Sequence, residues 1–358
     1  MTDDDYMARA LTLAERGLYT TTPNPRVGCV LVRDGEIVGE GWHVRAGEPH
    51  AEVVALKAAG ERARGATAYV TLEPCHHYGR TPPCDEALTA AGIKRVVAAM
   101  LDPDPRTAGQ GLAYLRAANI DTQCGVCDAQ ARELNMGFTS RVTRGRPWVR
   151  MKIAASLDGR TALANGQSQW ITGTEARRDG HHWRARACAV LTGIGTVKDD
   201  DPQLNVREVA TTRQPLRVIV DSRLETPPTA KILQGGGALI FCAHDDAKKS
   251  AVLRAAGAEI VVLPDASGKV ELPALLRELG RRGINELHIE AGHKLNGSLI
   301  REACVDELLL YLAPCLLGDT AQGMAALPEL ASLDARRNLV INETRMVGDD
   351  LRLLARLI

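Results

Sequence analysis

The sequence is poor in aromatic side chains, which make up 3% of its 358 residues, and it carries no net charge, since Lys and Arg together number 44, as do Asp and Glu. That balance removes any electrostatic case for a polyanionic partner such as a nucleic acid, although a few convergent Arg or a helix N-terminus can still hold a small phosphate. No segment stays apolar for the roughly 18 residues that a membrane helix needs. The first residues, Met1 to Tyr6, carry three consecutive Asp where a signal peptide would be apolar. A cytoplasmic chain without a membrane partner is expected. The nine Cys are odd in number and scattered, which does not fit a secreted disulfide framework. Reduced thiols, some of them metal ligands, are expected instead. Internal repeats and low-complexity tracts are also missing.

What is present is an ordinary apolar share, 45%, in a chain long enough for two domains. A helical pattern around Tyr6 to Arg16 is followed by the apolar run Val27 to Val32, the turn pair Asp34-Gly35, and a resumption at Ile37, which reads as a β-hairpin. A helix over Ala51 to Ala59, a strand over Ala68 to Leu72, a helix over Asp85 to Ala91, a strand over Val96 to Met100, and helices near Leu112 and Ala129 complete an α/β half. Arg141 to Pro147 is basic, holds Gly and Pro, and lacks periodicity, so it reads as a linker dividing residues 1–146 from 147–358. Strands at Trp148 to Ala155, Ala189 to Thr192, Leu216 to Val220, Ala238 to Cys242, Ile260 to Leu263 and Leu287 to Glu290 alternate with helices at Ala176 to Ala187, Ala247 to Ala256 and Leu272 to Arg281. Strands alone, at Glu307 to Leu312, Leu339 to Met346 and Leu351 to Leu357, close the chain.

His50-Ala51-Glu52 opens a helix, Glu73-Pro74-Cys75 follows a strand, and Cys84 opens another helix after Pro82-Pro83. One imidazole and two thiolates at His50, Cys75 and Cys84 would leave the fourth corner of tetrahedral zinc open, as in catalytic rather than structural sites. A helix N-terminus also favours the thiolate form of Cys84. The bland alternatives are a solvated helix start and two inert buried Cys. Residues two apart do not share a helix face, so geometry alone does not derive the His-x-Glu pairing.

Thr22-Pro23-Asn24-Pro25-Arg26-Val27-Gly28, then His50-Ala51-Glu52, then Leu72-Glu73-Pro74-Cys75-His76-His77-Tyr78-Gly79-Arg80-Thr81-Pro82-Pro83-Cys84 resembles the deaminase domain of bifunctional riboflavin-biosynthesis deaminase/reductases. The long loop from Cys75 to Cys84 separates it from nucleic-acid base deaminases, which usually space the two Cys by two residues. The resemblance implies one zinc per chain held by His50, Cys75 and Cys84, with Glu52 as the catalytic proton shuttle. It also implies substrate contacts at Asn24, His77, Arg80 and Thr81, each of which could equally be loop structure. His43 either lines this cleft or only ends the hairpin. Cys124-Gly125-Val126-Cys127 has the spacing of a redox or metal pair but no second pair, and His181-His182 reads as exposed positions on a polar helix.

In the second half, Lys152-Ile-Ala-Ala-Ser156-Leu-Asp158-Gly-Arg160-Thr161, Ser168-Gln-Trp170, Thr192-Gly-Ile-Gly195-Thr196 and Asp199-Asp200-Asp201-Pro202 resemble the reductase domain of the same family. The fold class implied is α/β: a cytidine-deaminase-like three-layer domain followed by a dihydrofolate-reductase-like domain. NADPH is the implied second cofactor, touching Ala154, Trp170, Thr196, Asp200, Ser222 and the turn Gly292, His293, Lys294, Leu295, Asn296, Gly297 and Ser298. Ser168, Arg184, Leu204, Arg207 and Glu290 are the implied contacts to a phosphorylated pyrimidine. His293-Lys294 departs from the usual pattern, in which Pro often follows the Gly. The implied function is deamination of a diaminopyrimidinone ribosyl phosphate followed by reduction of its ribosyl chain, in a homo-oligomer joined through the reductase domain. A nucleic-acid base deaminase, or a structural zinc module fused to a reductase, would be the competing readings. The second of these needs a fourth ligand from His76, His77 or another Cys.

Overall fold

The computed structural model describes every residue except 79–81 and 106. Arg80 and Thr81, two of the expected substrate contacts, therefore lie outside the described residues. The chain divides into two compact units, Met1–Gly145 and Arg146–Ile358.

The first unit contains α1 (Asp3–Glu15), β1 (Gly28–Arg33), β2 (Glu36–Trp42), α2 (Ala51–Ala59), β3 (Thr67–Val70), α3 (Cys84–Ala90), β4 (Arg95–Ala98), α4 (Gln110–Ala117), β5 (Asp121–Cys124), α5 (Asp128–Leu134) and α6 (Met136–Arg144). Helix α1 starts three residues before its apolar pattern does, because Thr2 and Asp5 form a reciprocal capping box and three Asp occupy the first turn. The strand order is β2-β1-β3-β4-β5. The first three strands are antiparallel neighbours, whereas β3, β4 and β5 run parallel. Asp34 and Gly35 both take positive φ, 50° and 81°, as a two-residue hairpin turn requires.

The placement of the helices follows from alternation along β1 and β2. A Cβ added to Gly28 would lie 2.0 Å from the Ala10 carbonyl oxygen of α1. On the next pair, Cys29 lies opposite Gly41, and a Cβ on Gly41 would lie 2.4 Å from the Ala51 carbonyl oxygen of α2. Successive strand residues face opposite sides, so α1 and α2 cover opposite faces and the unit has three layers. The core between them is mostly aliphatic: Met7, Leu13, Val30, Leu31, Val70, Val96, Val97 and Leu115 are almost wholly buried.

Two expectations fail here. The segment from Arg141 is not irregular: α6 continues through Arg144, burying Met136, Phe138 and Ser140 while its basic side chains look outward, and Gly145 ends it in the left-handed region. Strand β5 was not anticipated, because Asp-Thr-Gln-Cys is a mostly exposed edge with no apolar alternation.

The second unit contains β6 (Trp148–Ser156), β7 (Arg160–Ala162), α7 (Thr174–Arg186), β8 (Ala189–Gly193), α8 (Ile194–Asp200), β9 (Leu216–Val220), β10 (Ala238–Cys242), α9 (Ala247–Ala255), β11 (Ala258–Val262), α10 (Leu272–Arg281), β12 (Glu286–Ile289), α11 (His293–Arg301), β13 (Glu307–Ala313), β14 (Gln322–Gly323), β15 (Leu339–Val347) and β16 (Asp350–Leu357). A nine-stranded sheet runs in the order β11-β10-β9-β8-β12-β6-β13-β16-β15. It is parallel from β11 to β13, and β16 and β15 join antiparallel at the edge. Strands β8 and β10 are buried at every position, the pattern of a parallel sheet covered on both faces. Helix α8 begins within the Gly193-Ile194-Gly195 run.

Because both backbone atoms nearest to Gly41, the Ala51 oxygen and the Ala55 nitrogen at 2.6 Å, are fixed in α2, no rotamer change can relieve a side chain there. Gly41→Ala is expected to destabilise the first unit by roughly 1–3 kcal/mol, visible as a lowered thermal midpoint. An unchanged melting curve would show that α2 is not seated on β2 in this way.

Candidate functional site

In the first unit, the tight packing of α2 on β2 carries His50 and Glu52 to the end of the sheet. His50 precedes the helix, with its Nδ1 3.2 Å from Cys84 Sγ and 3.6 Å from Cys75 Sγ. The Cys84 backbone N–H donates to Cys75 Sγ at 3.4 Å. All three ligand atoms lie within 4.8 Å of one another, and no other His, Cys, Asp or Glu among the described residues joins them. One nitrogen and two sulfurs at this spacing suit zinc and leave its fourth corner to a non-protein ligand. A hydrogen bond from the Cys84 thiol, opposed by burial and aided by His50, draws the pKa of Cys75 down to about 4. The same contact, with burial and the charge of Glu52, pushes Cys84 well up. The carboxyl of Glu52 is buried beside the thiols, and desolvation followed by the negative charge on Cys75 raises its pKa against the pull of His50.

The Cys75 loop is held by Glu73. Its buried carboxylate accepts the backbone N–H groups of Asp102 at 3.1 Å, Gly109 at 2.9 Å and Leu112 at 3.2 Å. Gly111 lets α4 approach the loop, since a Cβ there would sit 2.0 Å from the Pro74 carbonyl oxygen. His43 is buried at the site, its ring edge-on to His50 at 5.3 Å. Its Nδ1 donates to the Pro49 carbonyl at 3.1 Å, which leaves Nε2 to accept from the Asn24 amide at 3.0 Å. Burial keeps this imidazole neutral by lowering its pKa. His76 turns Nδ1 to the buried Asp85 at 2.6 Å and His77 turns Nδ1 to Thr107 at 3.3 Å, so neither completes a closed structural zinc site.

In the second unit, the C-terminal ends of β9, β8, β12 and β6 lie side by side, where ligands bind in open parallel sheets. Thr196 follows β8, Ser222 follows β9, and Glu290 and Gly292 follow β12. A Cβ on Gly292 would stand 3.7 Å from Thr196 Oγ1, so these expected cofactor contacts come together. Arg184 of α7 forms a two-pronged pair with Glu290, with Nη2 donating at 2.9 Å, and its Nη1 donates to the Asn205 carbonyl at 3.2 Å. Burial works to raise the Glu290 pKa, but Arg184, with His288 and Lys152, holds the carboxylate well below the usual range. Gln169 donates to Asp200 at 3.0 Å, and Trp170 is exposed beneath the Arg177 guanidinium at 4.7 Å. Asn296 and Gly297 depart from expectation: they are buried against the 324–326 segment, Asn296 donating to the Met324 carbonyl at 3.1 Å, because α11 already begins at His293 and turns them inward.

Two family models match the chain: the RibD C-terminal domain over residues 147–353, and the cytidine and deoxycytidylate deaminase zinc-binding region over residues 1–100. The chain is 48% identical over 365 residues to the riboflavin biosynthesis protein RibD of Escherichia coli, covering 98% of each. The chain belongs to the RibD family. RibD of Aquifex aeolicus is 43% identical over 98% of the chain and 97% of the relative. Among solved structures, Acinetobacter baumannii RibD superposes with a TM-score of 0.92 at 43% identity, covering 99% of both chains. A diaminohydroxyphosphoribosylaminopyrimidine deaminase/5-amino-6-(5-phosphoribosylamino)uracil reductase from Thermotoga maritima gives 0.88 at 32% identity, again covering 99% of both. The RibD relationship establishes the fold class read from the sequence, a cytidine-deaminase-like domain followed by a dihydrofolate-reductase-like one.

Three further residues near the Arg184–Glu290 pair were not among the site residues expected from the sequence. His181, expected on an exposed helix face, is 6% exposed and accepts the Arg207 backbone N–H. Lys152, half-buried on β6, has its pKa lowered by desolvation against the pull of Glu290. His288 is wholly buried with Nε2 3.5 Å from Glu290. For His181 a signal was available, since it lies three residues before Arg184 and so on the same helix face. Cys124 and Cys127 are free thiols, and Cys127 occupies the left-handed position before α5.

Metal analysis of the purified protein should give one zinc per chain. A Cys75→Ser, Cys84→Ser double variant should lose it, and full zinc retention in that variant would remove the assignment.

Proposed function

We propose that this RibD chain catalyses two consecutive steps of riboflavin biosynthesis. The first is hydrolytic deamination of 2,5-diamino-6-ribosylamino-4(3H)-pyrimidinone 5′-phosphate, and the second is NADPH-dependent reduction of the ribosyl to a ribityl chain. The observation that carries this reading is the open His50, Cys75, Cys84 cluster with a buried non-ligand Glu52 beside it, in one chain with a RibD C-terminal domain.

In this reading His50, Cys75 and Cys84 hold zinc, which when bound supplies the Lewis acidity that makes water a nucleophile near neutral pH. Glu52 accepts the proton of the attacking water and returns it to the departing amine. Burial supports that role, because a carboxyl whose pKa is raised can both take and give a proton under working conditions. His43, as acceptor, fixes the amide of Asn24 to meet the pyrimidine, and His77 stands on the Cys75 loop with Arg80 and Thr81 following it in sequence.

NADPH, when bound, supplies the hydride. Thr196, Ser222 and the Gly292 to Leu295 helix start hold it, with Ala154, Trp170, Asp200 and Ser298 as further contacts. Ser168, Arg184, Leu204, Arg207 and Glu290 orient the ribosyl phosphate. The Arg184 pair keeps Glu290 ionised, so Glu290 acts as a hydrogen-bond acceptor.

The RibD subunits associate through the reductase unit as a homo-oligomer, which is supported by the edge strand β15. Its Val340, Ile341 and Met346 are 46%, 60% and 59% exposed, an unusual concentration of large apolar side chains on one open strand. Light scattering should report more than one chain per particle, and Ile341→Glu should shift the protein toward monomer. A monomer at the outset would exclude this arrangement. The free thiols suit a reducing compartment, in keeping with the cytoplasm.

Ammonia release and NADPH oxidation, followed separately with the diaminopyrimidinone phosphate, test the two reactions. In Glu52→Gln, deamination should fall by roughly 10²- to 10⁴-fold with zinc retained, while the already deaminated uracil intermediate should be reduced at close to the unmodified rate. Loss of that reduction in a folded, zinc-loaded variant would mean one shared or strongly coupled site.

A further inference from the structure

The segment from Asp201 to Arg207 has no regular secondary structure, so its path must be set by side chains around it. Leu204 within it is buried and takes a positive φ of 47°, a conformation that a branched side chain adopts only under external restraint. Gln214 supplies one restraint, accepting the Val206 N–H at 2.8 Å and donating to the Val206 carbonyl at 3.1 Å. The others come from one face of α7, where His181 and Arg184 stand three residues apart. Arg184 donates to the Asn205 carbonyl at 3.2 Å, and the His181 Nδ1 lies 3.3 Å from the Arg207 backbone nitrogen.

A backbone N–H can only donate, so the Nδ1 of His181 must be the unprotonated acceptor and the ring must be neutral. Its setting enforces that state. Burial, followed by the guanidiniums of Arg184 and Arg207, brings its pKa down to about 4, against weaker opposition from Glu290 and Glu208. The Arg207 guanidinium, by contrast, is exposed, donates to Asn205 Oδ1 at 2.7 Å, and has no carboxylate partner among the described residues. A cation left uncompensated, next to one already neutralised by Glu290, is suited to a phosphate monoester.

We propose that His181 is a positioning residue of the reductase site: as a neutral hydrogen-bond acceptor it holds the main chain at Arg207, so that Leu204 and the Arg207 guanidinium face the phosphorylated substrate opposite Arg184. This inference rests on the reading that Arg207 contacts the substrate. His181 itself touches no reacting atom; its effect passes through the segment it anchors.

Two substitutions in the full-length, zinc-loaded chain separate hydrogen bonding from packing. His181→Phe keeps the ring and removes the acceptor, whereas His181→Asn removes the ring and places an amide oxygen near the position of Nδ1. Both are assayed with the deaminated uracil substrate and NADPH, and the thermal unfolding curve of the full chain reports that the unit holding His181 is folded. His181→Phe should raise KM for the pyrimidine by about five- to tenfold, the size expected for one lost neutral hydrogen bond, with KM for NADPH and kcat changing less than twofold. His181→Asn should restore most of the difference. If the Phe variant fails to fold, His181→Leu takes its place in the same comparison. An unchanged KM without the acceptor, or an Asn variant as impaired as the Phe one, would overturn the proposal. Arg207→Ala is the control: if it raises KM while His181→Phe does not, the role of His181 alone fails, and if it has no effect, the substrate contact at Arg207 fails and the positioning role with it.

Discussion

Three backbone N–H groups from the 102–112 region end on the single carboxylate of Glu73, and the geometry of the first site depends on that convergence. A buried carboxylate without such donors would be costly, whereas one that satisfies several main-chain donors both compensates its own charge and ties their segments together. Glu73 lies two residues from Cys75, so the position of one sulfur is set by the start of α4, and the other sulfur hangs from α3. The second unit repeats the device. Asp158 accepts from Ser156 Oγ and from the backbone N–H groups of Leu317 and Gly318, the latter at 2.8 Å. The Ser156 hydrogen bond and the two N–H groups hold its pKa at about 2. Asp221 does the same for the turn after β9, accepting the Thr226 N–H at 2.8 Å and its hydroxyl at 2.7 Å.

Beneath the reductase site the sheet carries an unusual amount of buried charge. Arg150 is 1% exposed and pairs with Glu307 at 2.6 Å and Glu286 at 3.2 Å, while its guanidinium lies over the Trp183 ring at 4.4 Å. Arg186 joins Glu286 at 2.7 Å. Such clusters add little net stability over well-packed apolar groups, because desolvation offsets the attraction, but removing one member leaves an uncompensated buried charge. Their placement is informative. Glu286 and His288 alternate along β12 and so share one face, and Glu290 follows just past the strand end; α7 brings Arg184 and Arg186 to meet the two Glu. The Arg184–Glu290 pair is thus the last rung of a polar ladder built into the sheet.

Much of this was legible in the sequence, for reasons that can be named. Leu272–Arg281 has apolar periodicity sharp enough to fix both type and bounds, while Leu216–Val220 and Ala238–Cys242 are short apolar runs of strand length and Ala51–Ala59 is rich in good helix formers. The cluster of His50, Cys75 and Cys84 was readable because metal chemistry restricts residue type, although the resemblance and not helix geometry linked Glu52 to it. Other features left weaker traces. Strand β5 sits at an edge, where no apolar alternation is needed; α6 shows its basic face to the reader and hides its apolar one; α8 is written in Gly and Asp, which are poor helix formers. His181 escaped because polarity was taken for exposure. A helix under which charged groups are buried in pairs looks, by composition, like a helix in water.

The seating of α2 through Gly41 has one more consequence. The helix is registered against β2 first by main-chain atoms, the Ala51 oxygen and the Ala55 nitrogen, which lie nearer to Gly41 than the Val54 side chain does. Its outward residues, such as Lys57, can therefore be exchanged freely without moving Glu52. Chain length at the helix start enjoys no such freedom. Each residue inserted or deleted between His50 and the seated turn would rotate His50 by about 100° around the helix axis relative to Glu52, carrying the imidazole off the thiols. The outward face of α2 tolerates changes of residue, whereas the helix start tolerates no change of length.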